Sequence, residues 1–427
     1  MHDLNGRADT VAEVVGRYRR HLGQAAADIA EKTRQPVEST GEGAWITDSA
    51  GRRYLDCGGY GVFLLGHSHP DVVGALQRQL GTRALSTRSM LSAELALAAE
   101  RLAGIAPPGL DYVYFGTSGA EAVETALKLG RATGHRRVIC AKGGFHGKTL
   151  GALSITDRLI YQRPFKPLLP DVSTVPFGDA AALAGELAAD SRRACVVLEP
   201  VQGEGGIRIP PPGYLREVRD ACDRHGAMLV LDEVQTGIGR LGAWWGCSIE
   251  DVVPDVLLAG KGLGGGCMPV SAVIATDRAF APINRNARVH SSTFGGSPLA
   301  AVAVTTTLDV IERDDLVARS ERLGDRLLAE FTEIAAVAPQ LIREVRGRGL
   351  LLGIECARVE LAGALLGGLS DAGVIATATL GSDIVVRISP PAILSDAEFA
   401  FLCAGFRSAV RELVAGTDVR SGPHSEN

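Results

Sequence analysis

The first hundred residues show both helical and strand-like spacing of apolar positions. Apolar residues first recur at the three- and four-residue intervals of an amphipathic helix, at Val11, Val14, Val15, Tyr18 and Leu22. Residues 38–59 then read as two short strands around a turn at Asp48–Gly51. The pattern becomes helical again from Pro70 to Arg101. We therefore expect a helical N-terminal segment, a hairpin and a further helical region.

Short uninterrupted apolar runs alternate with helical stretches in the middle of the chain. The runs are DYVYFG, RVICA, ACVVLEP, MLVLDEV, DVLLAGK and SAVIAT, and helical patterns such as SGAEAVETALKLGRA lie between them. Val, Ile and Leu without polar alternation are typical of strands that are buried on both faces. We therefore expect an α/β main domain that is built on a mainly parallel sheet.

The pattern changes beyond Pro298. A long helical region rich in Ala, Val and Leu precedes three apolar runs, RGRGLLLGIEC, GVIATAT and DIVVRISP. This order predicts a smaller α+β unit towards the C-terminus. The final residues, GTDVRSGPHSEN, are polar, and we expect them to be loosely held.

Composition excludes several classes of protein. The 427 residues are 46% hydrophobic and 22% charged, with a net charge of -5, which is typical of a globular chain and gives no electrostatic case for binding nucleic acid. The eight cysteines form no CxxC pair and no paired Cys/His spacing, so we expect neither disulfides nor a metal site. Because no signal-like or membrane-spanning apolar stretch occurs, we expect a cytoplasmic protein that does not bind membranes.

Three predicted strands end in residues that suit chemistry. At Phe115–Glu121 small residues open a helix, whose N–H groups could hold a phosphate, although a plain Ser or Thr helix cap is an equal alternative. Asp232 and Glu233 end another strand, at the edge where open α/β sheets bind ligands. Lys261 emerges from a third strand into a glycine-rich loop, and desolvation there would lower its pKa, as Schiff-base chemistry requires.

These residues together fit a site for pyridoxal phosphate. The spacing between Asp232 and Lys261 accommodates one crossover and the next strand, so both side chains can face one pocket. Pyridoxal phosphate needs a lysine for covalent attachment, an acid to keep its pyridine nitrogen protonated, and donors for its phosphate.

Longer motifs around these residues are similar to those of a known family. The strings LVLDEVQTGIGRLG, PDVLLAGKGLGGG and STFGGSPLA resemble the class-III aminotransferases, which are pyridoxal phosphate enzymes of fold type I. LEPVQGEGG, GGFHGKTLGALS, GHSHPDVV and RISPPAILS extend the resemblance over roughly residues 40–400. It implies a large cofactor-binding domain over residues 76–318 and a small domain formed by residues 1–75 and 319–427.

The resemblance implies a role for each motif residue near the cofactor ring. Lys261 would form the Schiff base and then carry a proton between the substrate and the cofactor. Asp232 would bond the pyridine nitrogen, and Gln235 would bond the ring hydroxyl. Val234 and Phe145 would pack on the two faces of the ring, although core packing is the alternative for Phe145.

The resemblance also assigns the phosphate site and a partner. The family's aromatic-His-Gly turn corresponds to Phe145 and His146 in this chain. The phosphate ligands would be Ser118, Gly119, Ala120 and, from a second subunit, Thr293. We therefore expect a homodimer with shared active sites.

Two further positions indicate how substrates are recognised. Arg387 resembles the arginine that binds the α-carboxylate of 2-oxoglutarate or glutamate, for which guanidinium geometry is suited. Glu204 resembles the acid that pairs with this arginine when an amine donor is bound, and a static structural ion pair is the alternative. This pairing favours transamination over the mutase, racemase and decarboxylase activities of the same scaffold, since a mutase or racemase does not need it.

Two other positions bear on the amine donor. Stretches such as YLDCGGYGVFLLGHSHP are most similar to putrescine aminotransferases, which favours a diamine-like donor. Lys148 stands where ornithine- and γ-aminobutyrate-type enzymes have an arginine. Lysine binds a carboxylate less well than arginine does, because it lacks the planar guanidinium. Arg88 near the substrate entrance would repel a diammonium donor, unless it forms a salt bridge within a dimer. An ω-amino acid or a specialised biosynthetic donor therefore remains the alternative.

Two other classes of protein fit the sequence less well. A ligand-sensing regulator with this fold would carry an added nucleic-acid-binding domain, and no residues are left over for one. A nicotinamide enzyme would need GxGxxG at its first strand-to-helix turn, and the glycine clusters lack that spacing.

Overall fold

The computed structural model describes residues 9–418. Its strands fall into three sheets. The strands are β1 (Glu38–Glu42), β2 (Trp45–Asp48), β3 (Arg53–Asp56), β4 (Tyr112–Gly116), β5 (Arg137–Ala141), β6 (Val172–Val175), β7 (Ala194–Leu198), β8 (Met228–Asp232), β9 (Val256–Ala259), β10 (Ser271–Ala275), β11 (Ile342–Arg348), β12 (Leu351–Cys356), β13 (Val374–Ile375), β14 (Thr377–Ala378) and β15 (Val385–Ile388).

The α-helices lie between these strands and at both ends of the described chain. Several of them begin at a side-chain cap, such as Ser118 or Ser297. The helices are α1 (Val11–Arg17), α2 (Gln24–Lys32), α3 (Pro70–Thr82), α4 (Ala93–Gly104), α5 (Gly119–Ala132), α6 (Leu150–Ser154), α7 (Leu159–Gln162), α8 (Ala180–Ala189), α9 (Tyr214–His225), α10 (Asp277–Arg285), α11 (Pro298–Arg313), α12 (Leu316–Ala335), α13 (Val359–Asp371) and α14 (Asp396–Asp418).

A seven-stranded sheet forms the centre of the protein. Its order is β4-β10-β9-β8-β7-β5-β6, in which β9, β8, β7, β5 and β6 are parallel neighbours and β10 is antiparallel to β4 and β9. Strands β5, β7, β8, β9 and β10 are buried along their whole length, as their apolar runs predict. The predicted α/β layer with a mainly parallel sheet is confirmed.

The sequence pattern did not predict one strand of this sheet. Strand β6 lies at the edge and contains Ser173 and Thr174. An edge strand that is only partly buried does not need a continuous apolar run, so it gives a weak signal in the sequence.

The predicted hairpin around Asp48–Gly51 is present as β2 and β3.

The N-terminal and C-terminal segments share a second sheet. Its order is β1-β2-β3-β13, and β13 runs parallel to β3 with Val374 opposite Leu55. A third sheet has the order β11-β12-β15-β14. The prediction of a smaller α+β unit built from both ends of the chain is therefore confirmed. The boundaries at residues 75 and 318 remain a prediction.

Two helical predictions are corrected in detail. The pattern that began at Val11 gives α1, a π-helical turn over Tyr18–Leu22 and then α2, since only part of it is buried and Leu22 is 68% exposed. The pattern from Pro70 to Arg101 gives α3 and α4, which a largely exposed segment over residues 83–92 separates. Residues 416–418 of the tail predicted as loose belong to α14, and the rest lies outside the described residues.

Membrane-spanning helices and clusters of metal-binding side chains are both absent from the part of the chain that the structure describes. Over residues 9–418 no helix is both long and apolar enough to cross a bilayer. The same residues contain no group of three or more His, Cys, Asp and Glu side chains that could hold a metal ion.

Candidate active site

A cavity of about 500 Å³ lies at the carboxyl ends of the central parallel strands. This is the edge at which open α/β sheets bind ligands, because loops after parallel strands converge there. The sequence-predicted site residues that line it are Ser118, Gly119, Ala120, Phe145, His146, Glu204, Asp232, Val234, Gln235 and Lys261. Adjacent strands β8 and β9 bring Asp232 and Lys261 together, as their spacing predicted.

Lys261 combines a strained backbone with a perturbed amine. Its φ of 46° lies in the left-handed region, immediately after β9 and Gly260. Burial, together with the positive charge of Arg387, lowers the pKa of Lys261 to about 8, although the charges of Glu204 and Asp232 act in the opposite direction. The neutral fraction of this amine near neutral pH is therefore much larger than that of an ordinary lysine, and covalent chemistry requires the neutral form.

Asp232 and His146 form a buried pair beside Lys261. The distance between Asp232 Oδ2 and His146 Nδ1 is 2.7 Å, and Asp232 Oδ1 accepts a hydrogen bond from the Val234 N–H at 3.2 Å. Burial lowers the pKa of His146, but the hydrogen bond and charge of Asp232, with the charge of Glu199, raise it overall. The arrangement holds the Asp232 carboxylate at the wall of the cavity.

Glu233 does not share the cavity with Asp232. Its carboxylate accepts hydrogen bonds from the N–H groups of Gly246 and Cys247, both at 2.8 Å, and from the Thr236 hydroxyl. Burial raises the pKa of Glu233. Of the two acids predicted at this strand end, one lines the cavity and the other holds the loop that follows β8.

Glu199 is a cavity residue to which the sequence assigned no role. It directly follows β7, and its two carboxylate oxygens accept from the N–H groups of Phe145 and Gly203, each at 3.0 Å. Burial, which outweighs the opposing charge of His146, raises the pKa of Glu199 to about 7. The signal that could have found it is the one that found Asp232, an acid directly after a fully buried strand.

Arg387 and Glu204 lie together on the other side of the cavity. The Arg387 Nη1 donates to Glu204 Oε1, and Nη2 donates to the Thr377 hydroxyl at 3.0 Å. Glu204 Oε2 accepts from the Leu380 N–H at 2.8 Å. The Gln235 amide, oriented so that its oxygen faces the cations, accepts from Arg387 at 3.1 Å and from Lys261 at 3.2 Å.

The electrostatics of this pair favour an ionised Glu204. Burial acts to raise the pKa of Glu204, but the charges of Arg387 and Lys261 bring it below its ordinary value. Arg387 is fully buried, and its Nε has no acceptor among the described residues. Its guanidinium lies 4.9 Å from the ring centre of Tyr60, which the sequence had not singled out.

The start of α5 presents small residues to the cavity. The Ser118 hydroxyl caps the helix by accepting from the Glu121 N–H, so the helix-cap alternative describes it correctly. Gly119 packs against Val234, and a Cβ at Gly119 would lie 2.9 Å from Val234 Cγ1. Ser118, Gly119 and Ala120 also line the cavity, where first-turn N–H groups can bind an anion.

Four predicted site residues do not line this cavity. One is the fully buried Arg387, which contacts the cavity residue Glu204. Thr293 is exposed in the single chain. The Lys148 ammonium lies 4.0 Å from the ring centre of Tyr161, and the Arg88 Nη1 donates to the Gly295 carbonyl at 2.6 Å. Their roles in binding therefore remain predictions.

The residues that line the cavity fit pyridoxal phosphate. A lysine with a lowered pKa, a buried carboxylate held by His146 and a helix N-terminus supply the three kinds of group that this cofactor requires. Phe145 and Val234 add apolar walls on which a planar ring can pack.

Comparisons with known proteins agree with this chemistry. Residues 29–410 match the family model described as aminotransferase class-III. The chain is similar to ornithine aminotransferase from Toxoplasma gondii, with 29% identity, a TM-score of 0.85, and coverage of 96% of this chain and 100% of that one.

Two other solved structures are similar over most of their length. The acetylornithine aminotransferase from Elizabethkingia anophelis has 32% identity, a TM-score of 0.79, and coverage of 91% of this chain and 99% of that one. A thermostable (S)-enantioselective omega-transaminase from Thermomicrobium roseum has 27% identity, a TM-score of 0.87, and coverage of 96% of this chain and 100% of that one. The chain belongs to the class-III aminotransferases and is a pyridoxal phosphate-dependent transaminase of fold type I.

Proposed function

We propose that the enzyme moves a terminal amino group from a diamine-like donor, of the putrescine or cadaverine type, to 2-oxoglutarate by a ping-pong mechanism. The observation that carries the acceptor part is the fully buried Arg387, which is paired with Glu204 beside Lys261. A guanidinium can bind a carboxylate through two parallel hydrogen bonds. Glu204 pairs with the Arg387 guanidinium when the bound substrate has no carboxylate next to Arg387. Glu204 moves aside when 2-oxoglutarate binds.

The proposed roles of the cofactor-side residues follow from their positions. Bound pyridoxal phosphate supplies an electron sink that stabilises negative charge on the substrate carbon. The Lys261 amine moves the proton at that carbon, and its lowered pKa suits this task near neutral pH. The Asp232 carboxylate holds the proton on the pyridine nitrogen, and His146 fixes the orientation of that carboxylate through their hydrogen bond.

The charge of the cavity lining supports an amine-rich donor. Among the lining residues that the structure describes, Lys261 is the one Lys or Arg, whereas Glu199, Glu204 and Asp232 are all carboxylic acids. Glu204 pairs with Arg387 and Asp232 with His146, so the lining has no excess of positive charge that would repel the second ammonium group of a diamine. Lys148 and Arg88 are the candidate residues for binding a distal carboxylate. In the described chain Lys148 contacts the Tyr161 ring, and Arg88 bonds the Gly295 carbonyl.

An ω-amino acid donor is the second candidate. It is favoured by the similarity to ornithine and acetylornithine aminotransferases. In this alternative Arg88 or Lys148 would turn towards the cavity and bind the distal carboxylate of ornithine, lysine or γ-aminobutyrate. Transfer of the amino group to a specialised biosynthetic aldehyde or ketone belongs to the same alternative.

A panel of single donors separates these candidates. We would follow the visible absorbance of the purified holoenzyme while putrescine, cadaverine, ornithine, lysine, γ-aminobutyrate and β-alanine are added one at a time, without a keto acid. The proposal expects the fastest loss of the absorbance band with putrescine or cadaverine. Loss with carboxylate-bearing amines alone would contradict the diamine proposal and favour the alternative.

We further propose a homodimer in which Thr293 of each subunit binds the cofactor phosphate of the other. Support comes from the exposure of Thr293 and of neighbouring apolar side chains, which are of types that are usually buried. Phe294 is 59% exposed, Met90 is 78% exposed and Leu91 is fully exposed. The Arg88 hydrogen bond to the Gly295 carbonyl ties these two segments together.

Light scattering and cofactor retention test the dimer. We expect the mass of two chains, and we expect Thr293→Ala to remain dimeric while it loses pyridoxal phosphate faster during dialysis. A monomer with full activity would contradict the shared site.

We also propose a reducing cytoplasmic location, which is supported by eight cysteines that are all free and mostly buried.

A further inference from the structure

The loop between β14 and β15 holds Glu204 at two points. Its Leu380 N–H donates to Glu204 Oε2 at 2.8 Å, and its Gly381 N–H donates to the Glu204 backbone carbonyl at 2.7 Å. The approach is close, because a Cβ at Gly381 would lie 2.5 Å from that carbonyl oxygen. The loop therefore steadies Glu204 in the position that pairs with Arg387.

The other side of the same loop is held by the α7 region. The Tyr161 hydroxyl donates to the Leu380 carbonyl at 3.1 Å, and Arg158 Nη1 donates to the Gly381 carbonyl at 2.7 Å. Each of these two loop residues thus has its N–H on Glu204 and its carbonyl on a side chain at or just before α7. The Leu380 carbonyl and the Gly381 N–H belong to one peptide group, which therefore joins the Tyr161 hydroxyl to the Glu204 backbone carbonyl. Neither Tyr161 nor Arg158 lines the cavity.

Lys148 lies beyond Tyr161 in this series of contacts. Its ammonium group is 4.0 Å from the centre of the Tyr161 ring, a cation–π distance, while the hydroxyl at the far end of the ring faces Leu380. Charge and hydroxyl can therefore be removed separately by substitution. Lys148→Met keeps the hydroxyl, and Tyr161→Phe keeps the ring beneath the ammonium.

We propose that Tyr161 is a positioning residue that, through the Leu380 peptide, stabilises the pair of Glu204 with Arg387 and so sets how readily the enzyme binds a carboxylate-bearing acceptor. This inference rests on the proposed switch between Glu204 and substrate carboxylate at Arg387. A dicarboxylate must displace Glu204 from Arg387, and every hydrogen bond that holds Glu204 in place opposes that displacement. Without the Tyr161 hydroxyl the peptide group of the Leu380 carbonyl and the Gly381 N–H is less well held against Glu204, and Glu204 moves aside more easily.

Glutarate is a suitable probe because it has the two carboxylates of 2-oxoglutarate and no reacting group. We would measure its Kd for the holoenzyme by titration calorimetry. Tyr161→Phe is expected to bind glutarate roughly two- to tenfold more tightly, the range for one neutral hydrogen bond. Tyr112→Phe makes the same chemical change at the start of β4, outside the cavity lining, and as the matched control it is expected to stay within about twofold of the unmodified enzyme.

A double-substitution cycle shows whether the effect passes through Glu204. Glu204→Ala is expected to bind glutarate most tightly, and adding Tyr161→Phe to it should change nothing further. An unchanged or weaker affinity in Tyr161→Phe, an equal gain in Tyr112→Phe, or an additive gain in the Glu204→Ala background would overturn the inference. Arg158→Met removes the hydrogen bond to the Gly381 carbonyl. It is expected to bind glutarate more tightly, as Tyr161→Phe does.

The cycle also separates this inference from the proposed function. If Glu204→Ala leaves glutarate affinity unchanged, the switch itself is refuted. If Glu204→Ala binds more tightly but Tyr161→Phe does not, the switch stands and the role of Tyr161 is refuted. Melting temperatures of all variants show whether a general loss of structure accompanies any change.

Discussion

The two sides of the cavity are built in different ways. On the cofactor side, Asp232, Lys261 and Glu199 each end or follow one of three adjacent strands of a single buried sheet. On the acceptor side, Glu204 comes from the loop after β7, and Arg387 comes from β15 of another sheet. The first side is fixed by backbone hydrogen bonds within one sheet. The second is assembled from segments that are far apart in the chain.

This difference matches the two tasks that we propose. A reaction centre benefits from groups that stay within a fraction of an ångström of their working positions. A site that accepts two unlike substrates needs a group that can move. The contacts of Glu204 with Leu380 and Arg387 are charge-assisted, so Glu204 moves only when a substrate carboxylate takes its place at Arg387.

The largest expected effect tests the cofactor side. Lys261→Ala removes the amine that attaches the cofactor and moves the proton, so we expect turnover to fall by more than about 10⁴-fold. Steady-state rates and the visible absorbance band measure the loss. Lys142→Ala, at an exposed lysine, is the matched control. Substantial turnover in Lys261→Ala would show that the chemistry depends on another group.

A smaller loss is expected from Asp232→Asn. The amide keeps the shape of the carboxylate but loses the charge that His146 and the pyridine nitrogen share, and we expect turnover to fall by roughly 10²- to 10⁴-fold. Single-turnover rates with a good amine donor measure this step. Asp220→Asn, at an exposed position, should leave the rate unchanged. A near-normal rate in Asp232→Asn would mean that a different acid serves the ring nitrogen.

The next effect tests the acceptor side. Arg387→Ala removes the proposed carboxylate-binding group, and we expect the KM for 2-oxoglutarate to rise between roughly tenfold and a thousandfold, with a smaller change for the amine donor. The two half-reactions, measured separately, give this ratio. Arg348→Ala, at an exposed arginine, is the control. Equal losses in both half-reactions would argue against two differently built sides.

The smallest effect concerns pH and Glu199. Burial raises the pKa of Glu199 to about 7 in the folded protein, so between pH 4.5 and 7 the folded state binds more protons at this site than the unfolded state. Its contribution to stability therefore falls as pH rises through this window. Glu199→Gln cannot ionise, and we expect it to gain stability relative to the unmodified protein from pH 5 to pH 8, on the order of 1–3 kcal/mol.

Melting temperatures of the apoprotein at several pH values measure this gain. Glu217→Gln, at an exposed helical position, provides the control and should follow the unmodified protein at every pH. A constant difference between Glu199→Gln and the unmodified protein across the range would show that Glu199 does not titrate there.

The sequence by itself determined the central sheet and the cofactor side of the cavity. Uninterrupted apolar runs predict buried parallel strands, and polar residues at the ends of such strands must meet at one edge, so Asp232 and Lys261 could be placed together from the chain alone. The pairing of Arg387 with Glu204 came from the resemblance to a family. No local pattern joins residues that are so far apart in sequence.

Only the tertiary structure decided which groups surround that pair. Tyr161, Leu380 and Thr377 carry no strand-end signal, and their contacts arise where separate segments pack against one another. The separation of Asp232 from Glu233 was likewise decided by packing, since both acids follow the same strand and only one turns into the cavity. Local periodicity specifies elements and their edges, whereas hydrogen bonds between distant segments depend on the completed fold.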